Sequence, residues 1–292
     1  MKKLLITGAS GFLGWNLCRA ASLKYQVIGV CNNHRVEVPG VTFIKCDLLQ
    51  YSSLKELFQR VKLDAVIHCA AVSSPNYCQQ HVSEAYKMNV TLSSSIAGLC
   101  NEREIPCVFT STDQVFDGES APYDEGSIVC PVNVYGQQKV TAELEMQVRH
   151  DQLVICRMPL MYGDAPECAT SFIQPWIKSL KSGEKLSLFT DEVRTVVSAS
   201  DAAKGLLLAL ERARGIIHLG GKERLSRYQF GLKLAGSLGI SSELITACTR
   251  KGFPMPAPRP ADVSLNSEKA FSIGYAPGLV EEELQKLECL KG

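Results

Sequence analysis

No stretch of this chain stays apolar for anything near the roughly 18 residues that a membrane-spanning helix requires. Charge of one sign is lacking too. The 31 Lys and Arg against 30 Asp and Glu leave a net +1, so no surface field draws the chain to nucleic acid or to an anionic membrane. The twelve cysteines contain no C-x-x-C pair. Cys18, Cys31, Cys46, Cys69, Cys107 and Cys156 are scattered through apparent strands and helices, which reads as small core residues in a reducing compartment, with metal or disulfide roles as the alternative. Lys2-Lys3 runs directly into an apolar segment that glycines interrupt, too short for a secretory signal, so a cytoplasmic location is expected. There is no internal repeat.

What is there begins at residue 4. Leu4-Leu5-Ile6 is an apolar run of the kind found in a central parallel strand covered on both faces. Gly8, Gly11 and Gly14 follow at three-residue spacing. Gly8 permits a tight turn out of the strand, Gly11 lets a pyrophosphate approach the backbone, and Gly14 lets the next helix sit close on the sheet. That helix, starting near Phe12, aims the free N–H groups and positive dipole end of its first turn at phosphate, which puts Ser10, Gly11, Phe12 and Leu13 around a dinucleotide. Gln26 to Cys31 reads as the second strand. An Asp or Glu at its end would hold the adenosine ribose 2′-OH of NAD, and none is present. Asn33, His34 and Arg35 stand there instead, and Asn33 and Arg35 suit a 2′-phosphate. NADP(H) is therefore expected, with NAD as the alternative.

Further strands are expected over Thr42 to Lys45, Asp64 to Cys69, Pro106 to Thr110 and Leu153 to Arg157. Helices are expected over about 52 to 61, capped by Ser52 or Ser53, then over about 81 to 104 and 132 to 150. Asp47 and Leu48 fall where the adenine lies, and Cys69, Ala70 and Ala71 form a small-residue exit beside the cofactor. His68 reads as a packed strand histidine. The alternation predicts an α/β fold, a doubly wound parallel sheet binding NAD(P), with a smaller C-terminal α/β substrate domain. The expected boundaries are 1–165, with a segment of about 190–212 returning to the first domain, and 166–292. In the second part, helices are expected over about 170 to 181, 200 to 211 (opened by Ser200-Asp201), 226 to 238 (capped by Ser226) and 279 to 290, with strands over 185 to 189 and 216 to 219. Glu281, Glu282, Glu283 and Glu288 read as a solvated helix face. Phe253 to Pro260 is a proline-rich loop over a pocket or along the surface.

Tyr135 and Lys139 are four residues apart near a helix start, so they share a face. A phenol titrates near 10 and is a poor acid at neutral pH. A lysine ammonium at ~4 Å contributes about 4 kcal/mol of attraction to the phenolate, or about three pK units at most. Thr112, at a strand end, can donate a hydroxyl to a carbonyl oxygen. Hydride transfer to a carbonyl carbon, with Tyr135 as the proton source and Thr112 polarising the oxygen, is the chemistry this set suits.

Taken together, Thr7-Gly8-x-x-Gly11-x-x-Gly14, Ser111-Thr112-Asp113 and Tyr135-x-x-x-Lys139 resemble the extended short-chain dehydrogenases/reductases over essentially the whole chain. Within that family, Ser111-Thr112-Asp113-x-Val115-Phe116-Asp117-Gly118, Tyr135-Gly136-x-x-Lys139, Arg157-x-x-x-x-Tyr162-Gly163 and the segment from Arg259-Pro260 to Ser264-Leu265 resemble the dTDP-4-dehydrorhamnose reductases, in which NADPH reduces the 4-keto group of a nucleotide-linked deoxysugar. The resemblance implies Thr112, Tyr135 and Lys139 as the catalytic set, Tyr135 and Lys139 beside the cofactor, and Asp113 and Arg259 near the nucleotide-sugar. It leaves a homodimer open. Two departures stand out. Gln114 occupies a position where these reductases often carry tyrosine, and Leu160 one where they often carry tryptophan, which removes an aromatic platform for the sugar. Arg157-x-Pro159-x-x-Tyr162-Gly163 is also similar to the regulatory β subunit of methionine adenosyltransferase, an NADP-binding partner protein, and a sugar-nucleotide epimerase is the remaining alternative. Related dehydratases place a Glu after Thr-Asp as an acid/base. Gln114 cannot titrate, which argues against that reaction.

Overall fold

A computed structural model describes residues 1–34 and 36–291 of the chain. The expected contact of Arg35 with a 2′-phosphate lies outside the described residues.

The first half alternates strand and helix as its pattern predicts: β1 (Lys3–Thr7), α1 (Phe12–Ala21), β2 (Gln26–Cys31), β3 (Val41–Lys45), α2 (Tyr51–Arg60) and β4 (Ala65–His68). Then come α3 (Pro75–Gln80), α4 (Val82–Tyr86), α5 (Leu92–Asn101), β5 (Cys107–Thr112), α6 (Val134–Arg149) and β6 (Leu153–Met158). Two corrections arise here. The helix expected to begin near His81 is preceded by α3, with Pro75 in its first turn and Ser74 accepting from the Tyr77 N–H at 3.3 Å. Between α4 and α5, residues Lys87–Thr91 form a π-helical turn. The wider turn carries the Asn89 side chain inward, where Oδ1 accepts from the Val72 N–H (2.8 Å) and Nδ2 donates to Gln138 Oε1 (2.9 Å). The N-cap of helix α2 is Gln50, two residues before Ser52 and three before Ser53, and it makes no side-chain capping bond.

The second half contributes β7 (Met161–Tyr162), α7 (Ile173–Lys181), β8 (Leu186–Phe189), β9 (Val193–Arg194), β10 (Val197–Ser198), α8 (Ala199–Arg212) and β11 (Gly215–His218). It ends with β12 (Leu225–Ser226), α9 (Arg227–Ser237), β13 (Ile245–Cys248), α10 (Glu268–Ser272) and α11 (Val280–Leu284). The seven-stranded sheet has the order β3-β2-β1-β4-β5-β6-β11, every neighbouring pair parallel. It is a doubly wound α/β sheet. The strand expected over 216 to 219 is its seventh member. Helix α8 presents Ala202, Ala203 and Leu206 to the core that holds Leu17 of α1 and Val154 of β6, which brings the chain back to the sheet edge. Its cap is Ser198, whose hydroxyl accepts from the Asp201 N–H at 3.1 Å, not Ser200. Ser226 caps α9 as its sequence predicts, in a capping box with Gln229.

A core lies on each face of the sheet, one against α1 and α8, the other against α2, α5 and α6. A separate core of Ile173, Ile177, Leu188, Phe230, Leu234, Val280 and Leu284 joins α7, β8, α9 and α11 into a second lobe. The expected last helix is α11 followed by a 3-10 turn, Glu288–Leu290. Glu283 is buried there, and its Oε2 accepts from the Ser198 hydroxyl at 3.1 Å, so that face is not wholly solvated. None of the twelve cysteines is in a disulfide. Among the described residues no helix is long and apolar enough to cross a membrane, and no cluster of His, Cys, Asp or Glu is built to hold a metal.

Candidate active site

The C-terminal ends of β1 and β4 are adjacent, with crossovers running to opposite faces, and this is where ligands of open α/β sheets bind. Thr7 closes the floor. Its Oγ1 accepts from the Cys69 and Ala70 N–H groups, both at 3.2 Å, and lies 2.7 Å from His68 Nδ1. His68 Nε2 meets Ser93 Oγ at 3.0 Å. The imidazole is wholly buried, and burial followed by the charge of Lys139 lowers its pKa to about 3. It is a packed, neutral strand histidine.

Gly8 has φ +65°, and a Cβ there would lie 2.8 Å from the Ala70 backbone. A Cβ on Gly14 would stand 2.1 Å from the Gly8 carbonyl oxygen, which is how close α1 sits on the turn. A Cβ on Gly11 would meet only that same oxygen, at 3.2 Å. Gly11 is the N-cap of α1 and has no side chain to cover the first N–H groups of the helix. A bare helix N-terminus behind a glycine turn fits a pyrophosphate. Ser10 is in the same turn, its carbonyl accepting from Cys168 Sγ at 3.4 Å, a neighbour the sequence pattern does not reveal. Phe12 and Leu13 open α1. Asn33 lines a cavity of about 750 Å³ at the ends of β2 and β3, together with Lys45. Asp47 turns the chain after β3, Oδ1 accepting from the Leu49 N–H at 3.1 Å, with Leu48 half-buried beside it. Cys69, Ala70 and Ala71 leave β4 on the same edge.

A second cavity, of about 530 Å³, runs between the sheet edge and the second lobe. Thr112, Asp113, Gln114 and Tyr135 line one side, and Phe172, Trp176, Leu188, Arg194, Arg227 and Arg259 the other. Thr112 ends β5, and its Oγ1 accepts from the Gln114 N–H at 3.2 Å. Tyr135 lies in the first turn of α6. Burial pushes its phenol above the ordinary value, while a hydrogen bond involving Thr112 pulls the other way. Lys139, one turn on, donates from Nζ to the Thr110 carbonyl at 2.7 Å and stands 4.3 Å from the centre of the Phe109 ring. Burial lowers its pKa to about 8, opposed first by the charge of Glu143. The two side chains thus share a helix face, but the polypeptide alone does not depress the phenol: burial raises it, the charge of Asp113 adds to that rise, and only the hydrogen bond involving Thr112 opposes them.

Behind this wall, Glu143 Oε2 pairs with Arg157 Nη2 at 2.8 Å, and Oε1 accepts from Arg157 Nε at 3.1 Å and from the Ser111 hydroxyl. This buried group joins α6, β5 and β6. Asp113 pairs with Arg194 Nε at 3.2 Å across the cavity. Burial raises its carboxyl to about 6 against the pull of Arg194. Arg259 donates from Nη2 to Asn76 Oδ1 at 3.1 Å, which brings the proline-rich loop over α3.

Sequence reasoning missed Arg194 and Arg227, because each stands at a two-residue strand or its edge, with no periodicity to mark it. The Arg227 guanidinium lies 4.3 Å from the Phe172 ring centre and 4.7 Å from that of Trp176. Its Nη1 is buried and has no hydrogen-bond partner among the described residues. Phe172 and Trp176 give the cavity aromatic walls despite Leu160, so aromatic surface is present, from α7 and the residue before it.

The sequence pattern of the family described as RmlD substrate binding domain matches residues 1–287. The chain is 29% identical over 291 residues to the probable low-salt glycan biosynthesis reductase Agl14 of Haloferax volcanii, covering 97% of this chain and 96% of that protein. It is 28% identical over 282 residues to methionine adenosyltransferase 2 subunit beta of Xenopus laevis, covering 94% of this chain and 83% of that one. Among solved structures, a hypothetical dTDP-4-dehydrorhamnose reductase from Sulfolobus tokodaii superposes with a TM-score of 0.83 at 31% identity, over 96% of this chain and 98% of that chain.

Proposed function

Because the chain belongs to the RmlD substrate-binding domain family, an oxidoreductase lineage, we propose that it is an NADPH-dependent reductase of a nucleotide-linked 4-keto-6-deoxy sugar, with dTDP-4-dehydrorhamnose the best-fitting substrate. The observation that carries this reading is the joint presence of Thr112 and Tyr135 on one side of a cavity whose other side offers Arg194, Arg227, Arg259 and two aromatic rings. A hydroxyl and a phenol suit a carbonyl oxygen, and guanidinium groups suit a diphosphate.

In this reading the turn from Gly8 to Gly14, with Ser10, Gly11, Phe12 and Leu13, holds the dinucleotide pyrophosphate. Asn33 and Arg35 serve the adenosine ribose and its 2′-phosphate, and Asp47 and Leu48 border the adenine. Cys69, Ala70 and Ala71 leave room along the backbone, and Tyr135 and Lys139 serve the nicotinamide ribose. The reduced nicotinamide supplies the hydride. Thr112 donates a hydrogen bond to the keto oxygen, and Tyr135 delivers the proton that completes the hydroxyl. The Lys139 ammonium stabilises the phenolate left behind. Asp113 holds Arg194 toward the nucleotide-sugar, and Arg259 contacts it from the proline-rich loop.

The test is NADPH consumption by purified protein with a panel of 4-keto sugar nucleotides. Substrate-dependent loss of NADPH absorbance is expected with dTDP-4-dehydrorhamnose, and no loss with any member rejects the reading. Tyr135→Phe should lower kcat by about 100-fold or more while leaving NADPH affinity unchanged, since only the proton donor is removed. A large loss of cofactor affinity would show that the phenol has been assigned the wrong task.

A second reading is supported by the 28% identity to methionine adenosyltransferase 2 subunit beta. In it the chain is an NADP-binding regulatory partner. Co-purification of a stoichiometric partner protein, together with no keto-sugar turnover, would favour it.

A further inference from the structure

Gln114 lies in the short 3-10 turn Asp113–Val115 and lines the cavity beside Thr112. Its backbone N–H donates to Thr112 Oγ1 at 3.2 Å, which ties the turn to Thr112. A glutamine amide offers an acceptor at one end and two donors at the other. Which end meets a ligand decides what the residue recognises.

The orientation follows from Asn133. This residue is 2% exposed and caps α6, its Oδ1 accepting from the Gly136 N–H at 2.9 Å. Its Nδ2 donates to the Pro258 carbonyl at 3.0 Å. A backbone N–H only donates and a carbonyl only accepts, so the Asn133 amide has a single allowed orientation. The other Nδ2 proton meets Gln114 at 3.0 Å, and the atom there must be the acceptor, Oε1. Gln114 is thereby left with Nε2, a donor, as its free end.

We propose that Gln114 is a specificity-determining residue, held by Asn133 as a one-way hydrogen-bond donor to an oxygen of the sugar beside the reacting carbonyl. The inference rests on the reading of this cavity as a keto-sugar site. It assigns Asn133 the part of a positioning residue, which joins the turn after β5, the start of α6 and the proline-rich loop. A glutamate at position 114 would still satisfy Asn133 but would present an acceptor to the sugar. An aspartate at position 133 would still cap α6 but would set a carboxylate against two acceptor oxygens.

The experiment measures calorimetric affinities of wild type, Gln114→Glu and Gln114→Leu for dTDP-rhamnose, the product of the proposed reaction, and for dTDP alone. Both variants should bind dTDP-rhamnose at least tenfold more weakly and dTDP within twofold of wild type. Affinities for dTDP-rhamnose within twofold of wild type, or equal losses for both ligands, would overturn the proposal. So would a wild type that binds the two ligands equally, because there would be no sugar contact to lose. Asn133→Ser keeps an acceptor for the Gly136 N–H, and should raise KM for the keto sugar severalfold with kcat and NADPH affinity little changed. Asn133→Asp should be worse than Asn133→Ser, and the reverse order would remove Asn133 from the assignment. A wild type that turns over no 4-keto sugar defeats the reductase reading alone, since the binding comparison still decides what Gln114 does.

Discussion

Lys139 is a cation almost without access to solvent, held against a carbonyl and an aromatic ring. Burial lowers its pKa from the ordinary 10.5 to about 8, and Glu143, Cys69 and Cys78 oppose that shift without cancelling it. Tyr135 lies above its ordinary range, so the first group of this pair to lose a proton on the alkaline side is the lysine. The kcat/KM profile for the keto sugar is therefore expected to fall as pH rises through about 8. Stability runs the other way. Between about 8 and 10.5 the unfolded lysine binds more proton than the folded one, so this group's contribution makes the fold more stable as pH rises. An alkaline limb that coincides with unfolding, followed by circular dichroism across the same range, would take the effect away from Lys139.

Among the elements, two junctions carry the site. At the first, α1 touches the end of β1 so closely that a Cβ on Gly14 would lie 2.1 Å from the Gly8 carbonyl oxygen and 2.9 Å from the Ala9 Cα. Both neighbours are backbone, so Gly14→Ala must push the helix off the turn. The expected cost is about 1–3 kcal/mol of stability, with NADPH affinity reduced by tenfold or more in a fluorescence titration. Unchanged affinity would mean that the turn does not hold the cofactor. At the second junction, Glu143 of α6 meets Arg157 of β6 and Ser111 of β5, with both charged side chains 4% exposed. Glu143→Gln leaves the guanidinium buried without a counter-charge. A loss of about 3–5 kcal/mol is expected in urea unfolding, against under 1 kcal/mol for a surface pair.

For the molecule as a whole, the sheet edge and the second lobe face each other across the 530 Å³ cavity, and the 750 Å³ cavity lies along the same sheet at β2 and β3. A ligand that binds only the folded chain stabilises it by about 2.7 kcal/mol at a hundred times its Kd. NADPH is thus expected to raise the thermal midpoint, and to raise it more than NADH at equal concentration, because Asn32, Asn33 and His34, the residues directly after β2, include no carboxylate to take the ribose 2′-OH of NADH. Equal shifts in differential scanning fluorimetry would reject the NADP preference.

The glycine turn was legible in the residues because most of it is local: Leu4 to Gly14 is one strand, one turn and one helix start, Gly8 takes a positive φ, and Gly11 and Gly14 face the Gly8 carbonyl oxygen, whereas the approach of Gly8 to Ala70 is long-range. The Tyr135–Lys139 spacing is local for the same reason, since helical geometry alone puts i and i+4 on one face. Residue identity and short-range periodicity thus determined the doubly wound sheet and the helix face that Tyr135 and Lys139 share. Tertiary packing decided everything that depends on distant segments meeting. Arg194 reaches Asp113 over 81 positions of sequence, and Pro258 reaches Asn133 over 125. The aromatic walls come from Phe172 and Trp176 rather than from position 160. The phenol's environment was likewise misjudged from spacing, because four residues of helix fix which side chains are neighbours but not how much water reaches them. Burial is a property of the assembled molecule, and in this site it raises the phenol and outweighs the charge of Glu143 at Lys139.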